Sequence, residues 1–166
     1  MPADYPRSSP RPPRPLKVRA VALLARREYS RADLRQKLAA GGDRNADAMT
    51  EIDAVLDELA ALGYLSDTRF AKALVQQKSG GYSKRAIGAT LKARGVSGEA
   101  ATDALAGSEI DDQDAMVALW RRRFGKAPLD DREKARQVRF LQSRGFALSA
   151  IFKLLRDPPD EDVAGP

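Results

Sequence analysis

The amino-acid sequence predicts an all-α fold: three tandem three-helix repeats, each resembling a helix-turn-helix unit, stacked into an elongated, curved array. Apolar residues recur at helical spacing along the body of the chain, without strand-like alternation. Of the ten prolines, only Pro128 lies between residues 16 and 156, so the body can form nearly continuous helix. Helical units this short bury little apolar surface alone, and neighbouring units are therefore expected to stack.

The first repeat, residues 16–65, shows the order of elements that recurs later. Its first helix carries Ala22-Leu23, its second ends at Leu38 before Gly41, and its third carries Val55-Leu56. Ser30 and Asp33 form a predicted N-cap and capping-box pair for the second helix. Three tyrosines lie beside turns, where their rings are expected to cover helix ends with the hydroxyl groups in water. They are Tyr29, Tyr64 and, in the second repeat, Tyr82.

The second repeat, residues 66–110, and the third repeat, residues 111–156, follow the same order at a period of roughly 50 residues. The first helices of these repeats carry Ala73-Leu74 and Ala118-Leu119. The second helices end at Leu91 before Gly95 and at Leu141 before Gly145. The third helices carry Ala104-Leu105 and Leu154-Leu155. Ser66, Ser83 and Ser97 are predicted N-caps. Ala147 stands where the second repeat has Ser97, which predicts a weaker cap for the last helix.

Both flanks have compositions that are typical of disorder. Residues 1–15 are rich in proline and arginine and lack apolar content, and residues 157–166 are acidic and proline-containing. We therefore predict a disordered arm and a disordered acidic tail on either side of the helical body. No apolar run approaches the ~20 residues of a membrane span, so we expect a cytoplasmic protein without membrane contact.

Charge alternates along the repeats on a background of net charge +6. Residues 68–98 carry seven basic and no acidic residues, residues 99–114 carry six acidic and no basic residues, and residues 115–156 carry eleven basic and three acidic residues. Stacked repeats would place a positive ridge beside a negative one, whereas isolated charge runs are usually ordinary solvated helix faces. Acidic residues on the third helices, including Glu51, Asp57 and Asp103, disfavour their insertion into a DNA groove.

The basic residues form the candidate contact set for a partner protein or for nucleic acid. They are Arg26, Arg27, Lys84, Arg85, Lys92, Arg94, Arg121, Arg122, Arg123, Lys126, Arg136, Arg139 and Arg144. Those of the third repeat could hold a phosphate backbone without regard to sequence. Autonomous nucleic-acid binding through this basic repeat is therefore the alternative function.

Catalytic and cofactor-binding motifs are not recognisable in the sequence. The chain has no cysteine and no histidine, which excludes disulfides, Cys/His zinc sites and imidazole catalysis. Gly125-Lys126-Ala127 lacks the Ser or Thr of a phosphate loop. Asp111, Asp112 and Asp114 are more typical of a helix N-terminus than of a cation site, and Trp120 is expected in the core. We therefore predict a protein that is not an enzyme and that uses no metal or cofactor.

The stretch from Leu59 to Ala71, LAALGYLSDTRFA, resembles the signature of the bacterial RecX family of regulators of the recombinase RecA. The run from Lys78 to Val96 and the opening run from Ala22 to Leu38 are also similar to that family. The residues that carry the signature are Gly63, Tyr64, Leu65, Asp67, Phe70, Ala71, Gly95 and Trp120. The arm and the tail extend beyond the usual body of the family.

The resemblance implies three tandem three-helix repeats, in agreement with the periodicity. It also implies binding to RecA and to the RecA–single-stranded DNA filament, with restraint of ATP hydrolysis, strand exchange and the co-protease activity of the SOS response. On this basis we expect a monomer that regulates recombination and DNA repair. Its own binding to nucleic acid would be weak and secondary.

Overall fold

A computed structural model describes residues 14–109 and 111–159. Within those ranges the chain forms nine α-helices and no strand. Their bounds are α1 (Leu16–Leu24), α2 (Arg31–Ala39), α3 (Ala46–Ala61), α4 (Asp67–Lys78), α5 (Lys84–Ala93), α6 (Gly98–Ala106), α7 (Asp112–Arg123), α8 (Asp131–Ser143) and α9 (Leu148–Arg156). The predicted all-α repeat fold is confirmed. Residues 1–13 of the predicted arm and 160–166 of the predicted tail lie outside the described residues.

The chain divides into two compact units, and the first ends at Leu65. Helices α1–α3 of this unit enclose a core that contains the buried residues Leu34, Leu38, Ile52, Leu56 and Leu59. Tyr29 also belongs to this core and is only 7% exposed. Its ring therefore packs among the leucines of this core, just before the start of α2.

The second unit begins at Ser66 and contains the second and third repeats. Each repeat has its own core cluster. The core of the second repeat contains Phe70, Val75, Ile87, Leu91 and Val96. The core of the third repeat contains Met116, Leu119, Trp120, Leu141 and Ile151. Because each three-helix repeat buries its own apolar residues, the charged faces of the helices remain available for other contacts.

The predicted serines stand at the N-caps of their helices. Ser30, Ser66 and Ser83 accept hydrogen bonds from backbone amides three residues ahead, at 3.1, 3.2 and 3.2 Å. Ser97 is the N-cap residue of α6, as predicted, but its side chain makes no capping hydrogen bond. Ala147 leaves α9 without a side-chain cap, as expected.

The best-matched part of the repeats, LKARGV and LQSRGF, forms the same C-terminal helix motif twice. In the third repeat the amide of Phe146 donates to the Leu141 carbonyl at 3.3 Å, and the amide of Gly145 donates to the Gln142 carbonyl at 2.9 Å. Gly145 has φ +90°, a backbone conformation that glycine adopts without the steric cost of a Cβ atom. This requirement explains the Arg-Gly-apolar sequence that recurs at the ends of α5 and α8.

Candidate binding surface

Some basic residues of the first repeat are paired with acidic residues of α3. The ion pairs include Lys17–Glu58 at 2.5 Å, Arg31–Asp57 at 2.6 Å and Arg35–Asp53 at 2.7 Å. The acidic residues of α3 therefore neutralise cations of α1 and α2.

The Arg35–Asp53 pair is the strongest of these contacts by geometry. Asp53 accepts two hydrogen bonds from the Arg35 guanidinium, at 2.7 and 3.1 Å. These bonds stabilise the carboxylate form and hold the pKa of Asp53 below its ordinary value of 3.8, while the pKa of Arg35 is raised. The ion pair links α2 to α3 and so contributes to the fold of the first repeat.

Two candidate residues of the first repeat remain at the surface. Arg26 is exposed, and the guanidinium carbon of the exposed Arg27 lies 4.4 Å from the centre of the Tyr29 ring. A cation over an aromatic ring is attracted by the electrostatic field of the ring, so Arg27 is partly ordered by this stacking. These two residues are the first repeat's contribution to the candidate contact set.

The third repeat is built around a buried polar pair. Trp120 is 2% exposed, and its indole Nε1–H donates to Gln137 Oε1 at 2.8 Å. Gln137, also 2% exposed, uses its Nε2 to donate to the Lys126 carbonyl at 3.3 Å. The prediction that Trp120 is a core residue is confirmed. The buried glutamine was not foreseen, because a lone Gln in a charged helix gives no sequence signal.

A seam of hydrogen bonds joins the second and third repeats inside the second unit. The backbone amide of Ser83 donates to the Arg144 carbonyl at 2.9 Å, and the Ser83 hydroxyl donates to the Gly145 carbonyl at 2.8 Å. The backbone amide of Lys84 donates to Asp112 Oδ1 at 2.8 Å. The start of α5 is thus held by the end of α8 and by the start of α7, which fixes the two repeats together.

A basic–aromatic cluster lies beside this seam. We define it as the rings of Tyr82, Phe124 and Phe140 with the cations Lys78, Arg123, Arg136 and Arg144. Phe124 and Phe140 meet edge to face at 5.4 Å between ring centres. Each ring has two cations within 6.0 Å of its centre, so the cluster continues from the second repeat to the third.

The structure places the remaining candidate cations in different surroundings. Lys84 donates its Nζ to the Ser108 carbonyl at 3.2 Å, and Arg85 donates to the Gly145 carbonyl at 3.3 Å, so both also serve the fold. The others are exposed: Lys92, Arg94, Arg121, Arg122, Lys126 and Arg139. Four cluster members, Lys78, Tyr82, Phe124 and Phe140, were not among the predicted contact residues. Their signal in the sequence is an aromatic residue near a helix end, close to Lys or Arg.

The signature residues serve mainly the fold. Leu65, Phe70, Ala71 and Trp120 are buried, and Asp67 is the first residue of α4. Gly63 and Gly95 have φ +77° at the ends of α3 and α5. Tyr64 differs from these residues because it is 57% exposed. The prediction that its ring lies beside a turn agrees with this position.

The acidic run before α7 also serves the fold. Asp111 caps α7 by accepting from the Gln113 amide at 2.9 Å, and Asp112 belongs to the seam. In the part of the chain that the structure describes, no group of three or more potential metal ligands occurs. Over the same residues, no helix has the length and apolar character needed to cross a membrane.

Three-helix repeats, two of which share a basic–aromatic cluster, define an all-α helical-repeat protein. The family models for the second and third three-helix domains of RecX match residues 66–105 and 109–155. The Regulatory protein RecX of Chromobacterium violaceum is 41% identical over 147 residues, which cover 89% of this chain and 93% of that protein. The corresponding protein of Leptothrix cholodnii is 42% identical, covering 90% of this chain and 92% of its own length. The chain belongs to the RecX family.

A solved structure supports the same architecture. The crystal structure of RecX from Lactobacillus salivarius matches this chain with a TM-score of 0.61, covering 86% of this chain and 93% of that one. The sequence identity is 19%, so this likeness concerns the fold alone.

Proposed function

We propose that this protein binds RecA and the RecA–single-stranded DNA filament and inhibits the recombinase, ATPase and SOS co-protease activities. The proposal rests on membership of a family of regulatory proteins whose resemblance to this sequence extends over most of the helical body. In this role the protein acts in the cytoplasm, as a monomer and without chemistry of its own. The binding surface uses charge rather than a catalytic pocket.

The observation that carries the proposal is the basic–aromatic cluster. It spans two repeats, and the rings hold its cations in place before a partner arrives. Side chains ordered in advance lose less entropy on binding. A surface of several such contacts can also bind successive subunits of a filament, where effective concentration strengthens each individual contact.

The direct test is steady-state ATP hydrolysis by preformed RecA–single-stranded DNA filaments during titration with this protein. Binding to the same DNA without RecA is measured in parallel at equal salt concentration. We expect inhibition at concentrations well below those that coat bare DNA. Inhibition that begins only where bare DNA is saturated would make the protein a competitor for DNA, and no inhibition would refute the proposed function.

The second candidate function is autonomous, sequence-independent nucleic-acid binding through the third repeat. The arginines at the end of α7 favour it, because exposed arginines can contact phosphates whatever the base sequence: Arg121, Arg122 and Arg123. Replacing all three with Glu would abolish such an activity. For a filament regulator, the same variant should bind filaments more weakly but still measurably, since the second repeat also contributes contacts.

A further inference from the structure

Arg144 occupies an unusual position for a cation. Its guanidinium carbon lies 4.8 Å from the centre of the Tyr82 ring and 5.0 Å from the centre of the Phe140 ring. The first ring belongs to the second repeat and the second ring to the third. The side chain is half-buried, and its own backbone carbonyl accepts the hydrogen bond from the Ser83 amide. Both ends of this residue are therefore fixed by the seam.

The guanidinium of Arg144 makes no hydrogen bond within the described chain. A guanidinium carries five N–H donors, and the contacts of this one are with the two aromatic rings. The ion pairs Lys17–Glu58, Arg31–Asp57 and Arg35–Asp53 lie in the first repeat, and none of them includes Arg123, Arg136 or Arg144. An oxyanion at the edge would therefore gain charge-assisted hydrogen bonds without displacing a protein partner.

Mutual repulsion within the cluster favours an anionic ligand. Lys78 Nζ lies 4.5 Å from the centre of the same Tyr82 ring that Arg144 contacts. Arg123 lies 5.7 Å from the centre of the same Phe140 ring. Cations gathered around shared rings repel one another, and a bound anion relieves that repulsion. The cluster is thus complementary to oxygen anions.

The rings already have other contacts, which disfavours their use as a stacking platform for single-stranded DNA. Each ring has two cations beside it, and Phe124 and Phe140 also contact each other. Base stacking supplies much of the affinity of single-strand binding proteins, and here a stacked base would compete with these contacts. The N–H donors of the guanidinium groups are therefore the better candidates for holding a ligand.

The adjoining cleft favours a protein over a phosphate chain. Arg136 also lines a cleft of about 460 Å³ together with Asp130, Arg132, Glu133 and Arg139. Its two carboxylates are held in place: Asp130 caps α8 through the Glu133 amide at 2.7 Å, and Glu133 accepts from the Leu129 amide at 3.0 Å. A polyphosphate could pair with the arginines of this cleft but not with its two carboxylates, whereas a protein surface can present carboxylates to the arginines and cations to the acids.

We propose that Arg144, with Arg123 and Arg136, forms an oxyanion site that binds carboxylate side chains of a protein partner. The site is composite, because Tyr82 comes from the second repeat and Phe140 from the third. This inference rests on the proposed function in taking a protein filament as the partner. It goes further in naming the chemical group recognised and the residue at the centre of recognition.

The test compares Arg144→Gln and Arg144→Lys with the matched control Arg156→Gln. The control removes the same charge from an exposed arginine of the same repeat. Affinity is measured at fixed salt for three probes: RecA–single-stranded DNA filaments, poly-L-glutamate and bare oligo(dT). Circular dichroism establishes that each variant is folded, and Arg123→Gln provides a second variant within the site.

For Arg144→Gln we expect a loss of about tenfold on filaments and on poly-L-glutamate, as for losing a charge-assisted hydrogen-bonded pair. Arg144→Lys should lose nearly as much, because an ammonium lacks the planar fork. Arg156→Gln should lose no more than about twofold on any probe, which is the expected size for one exposed charge. On oligo(dT) the variants should differ little from one another.

Equal affinities of folded Arg144→Gln and Arg156→Gln for filaments and for poly-L-glutamate would overturn the inference. A selective loss on oligo(dT) would also overturn it and would assign the site to phosphates. If the wild-type protein does not bind filaments at all, the proposed function fails. The poly-L-glutamate measurement then still decides whether the oxyanion site exists.

Discussion

The hydroxyl group of Ser83 donates a hydrogen bond to the carbonyl oxygen of Gly145 across 2.8 Å, and this bond links the second repeat to the third. The same oxygen atom of Ser83 accepts from the Ala86 amide at 3.2 Å and so caps α5. Ser83 is 1% exposed. One buried hydroxyl thus begins a helix and holds the adjacent repeat in position.

Replacing Ser83 with Ala should lower the free energy of unfolding by about 2 kcal/mol, because it removes a cap and an inter-repeat hydrogen bond. Ser66→Ala is the matched control, since Ser66 caps α4 through the Arg69 amide at 3.2 Å. We expect a loss of about 1 kcal/mol for the control. Urea denaturation followed by circular dichroism measures both. Equal losses would show that the inter-repeat bond adds nothing.

Gly145→Ala should be more damaging than another substitution at a glycine with positive φ. A Cβ atom at position 145 would lie 2.5 Å from both Ser83 Oγ and Ala86 Cβ, whereas one at Gly80 would have no neighbour within 4 Å. Both glycines have positive φ, at +90° and +78°. We expect about 1 kcal/mol for Gly80→Ala from backbone strain alone, and about 3 kcal/mol for Gly145→Ala from strain plus overpacking.

Thermal denaturation distinguishes these two variants. If the seam can separate without cost, their midpoints will fall by the same amount, contrary to this expectation. A larger fall for Gly145→Ala would instead support close packing of α5 against the end of α8.

Gln137→Met should destabilise the third repeat by about 2 kcal/mol, because the buried indole N–H of Trp120 would lose its acceptor. Gln142→Met on the exposed face of α8 is the matched control and should change stability by less than about 0.5 kcal/mol. Trp120→Phe combined with Gln137→Met should cost less than the two single changes added together, since the double variant leaves neither partner unsatisfied. Circular dichroism during urea denaturation measures the free energy of unfolding of Gln137→Met, Gln142→Met, Trp120→Phe and the double variant. Additive losses would argue against the hydrogen bond between Trp120 and Gln137.

The Arg35–Asp53 pair predicts a pH dependence of known sign. Since the pKa of Asp53 is lowered on folding, the pair stabilises the folded state above the ordinary pKa of 3.8 and loses this contribution as the pH falls through the lowered pKa. NMR titration of the Asp53 carboxyl carbon should give a pKa below 3.8 in the wild-type protein.

Arg35→Gln should move the pKa of Asp53 back up, because its largest stabilising cause is the hydrogen bond from Arg35. Arg44→Gln removes an exposed arginine outside the pair and should leave this pKa unchanged. An unchanged Asp53 pKa in Arg35→Gln would mean that the pair does not persist in solution.

Local rules explain why much of the fold could be predicted. Ser30 and Ser83 begin helices because a hydroxyl can satisfy a free amide of the first turn, and Gly145 ends one because its φ is +90°. Such signals act within a few residues and can be read directly. Ser97 shows their limit, because the same residue type at an equivalent position makes no capping bond.

The candidate site was predicted only in part. The arginines near the ends of α7 and α8 were identified from charge, but Tyr82 and Phe140 were not recognised as the rings that hold Arg144. Those rings lie on opposite sides of the inter-repeat seam and are far apart in the sequence. Their shared contact with Arg144 depends on how the two repeats pack, and a short sequence pattern does not predict that packing.

By itself, the sequence determined the helices, their three-part repetition, the chain's family resemblance and the excess of basic charge. These properties depend on residue type and local spacing, which act before any long-range contact forms. Only the tertiary structure decided which charges are neutralised, as for Asp53 with Arg35, and which remain available, as for Arg144. The reason is physical: hydrogen bonds and ring–cation contacts form over a few ångströms in space, and packing alone brings distant residues to that distance.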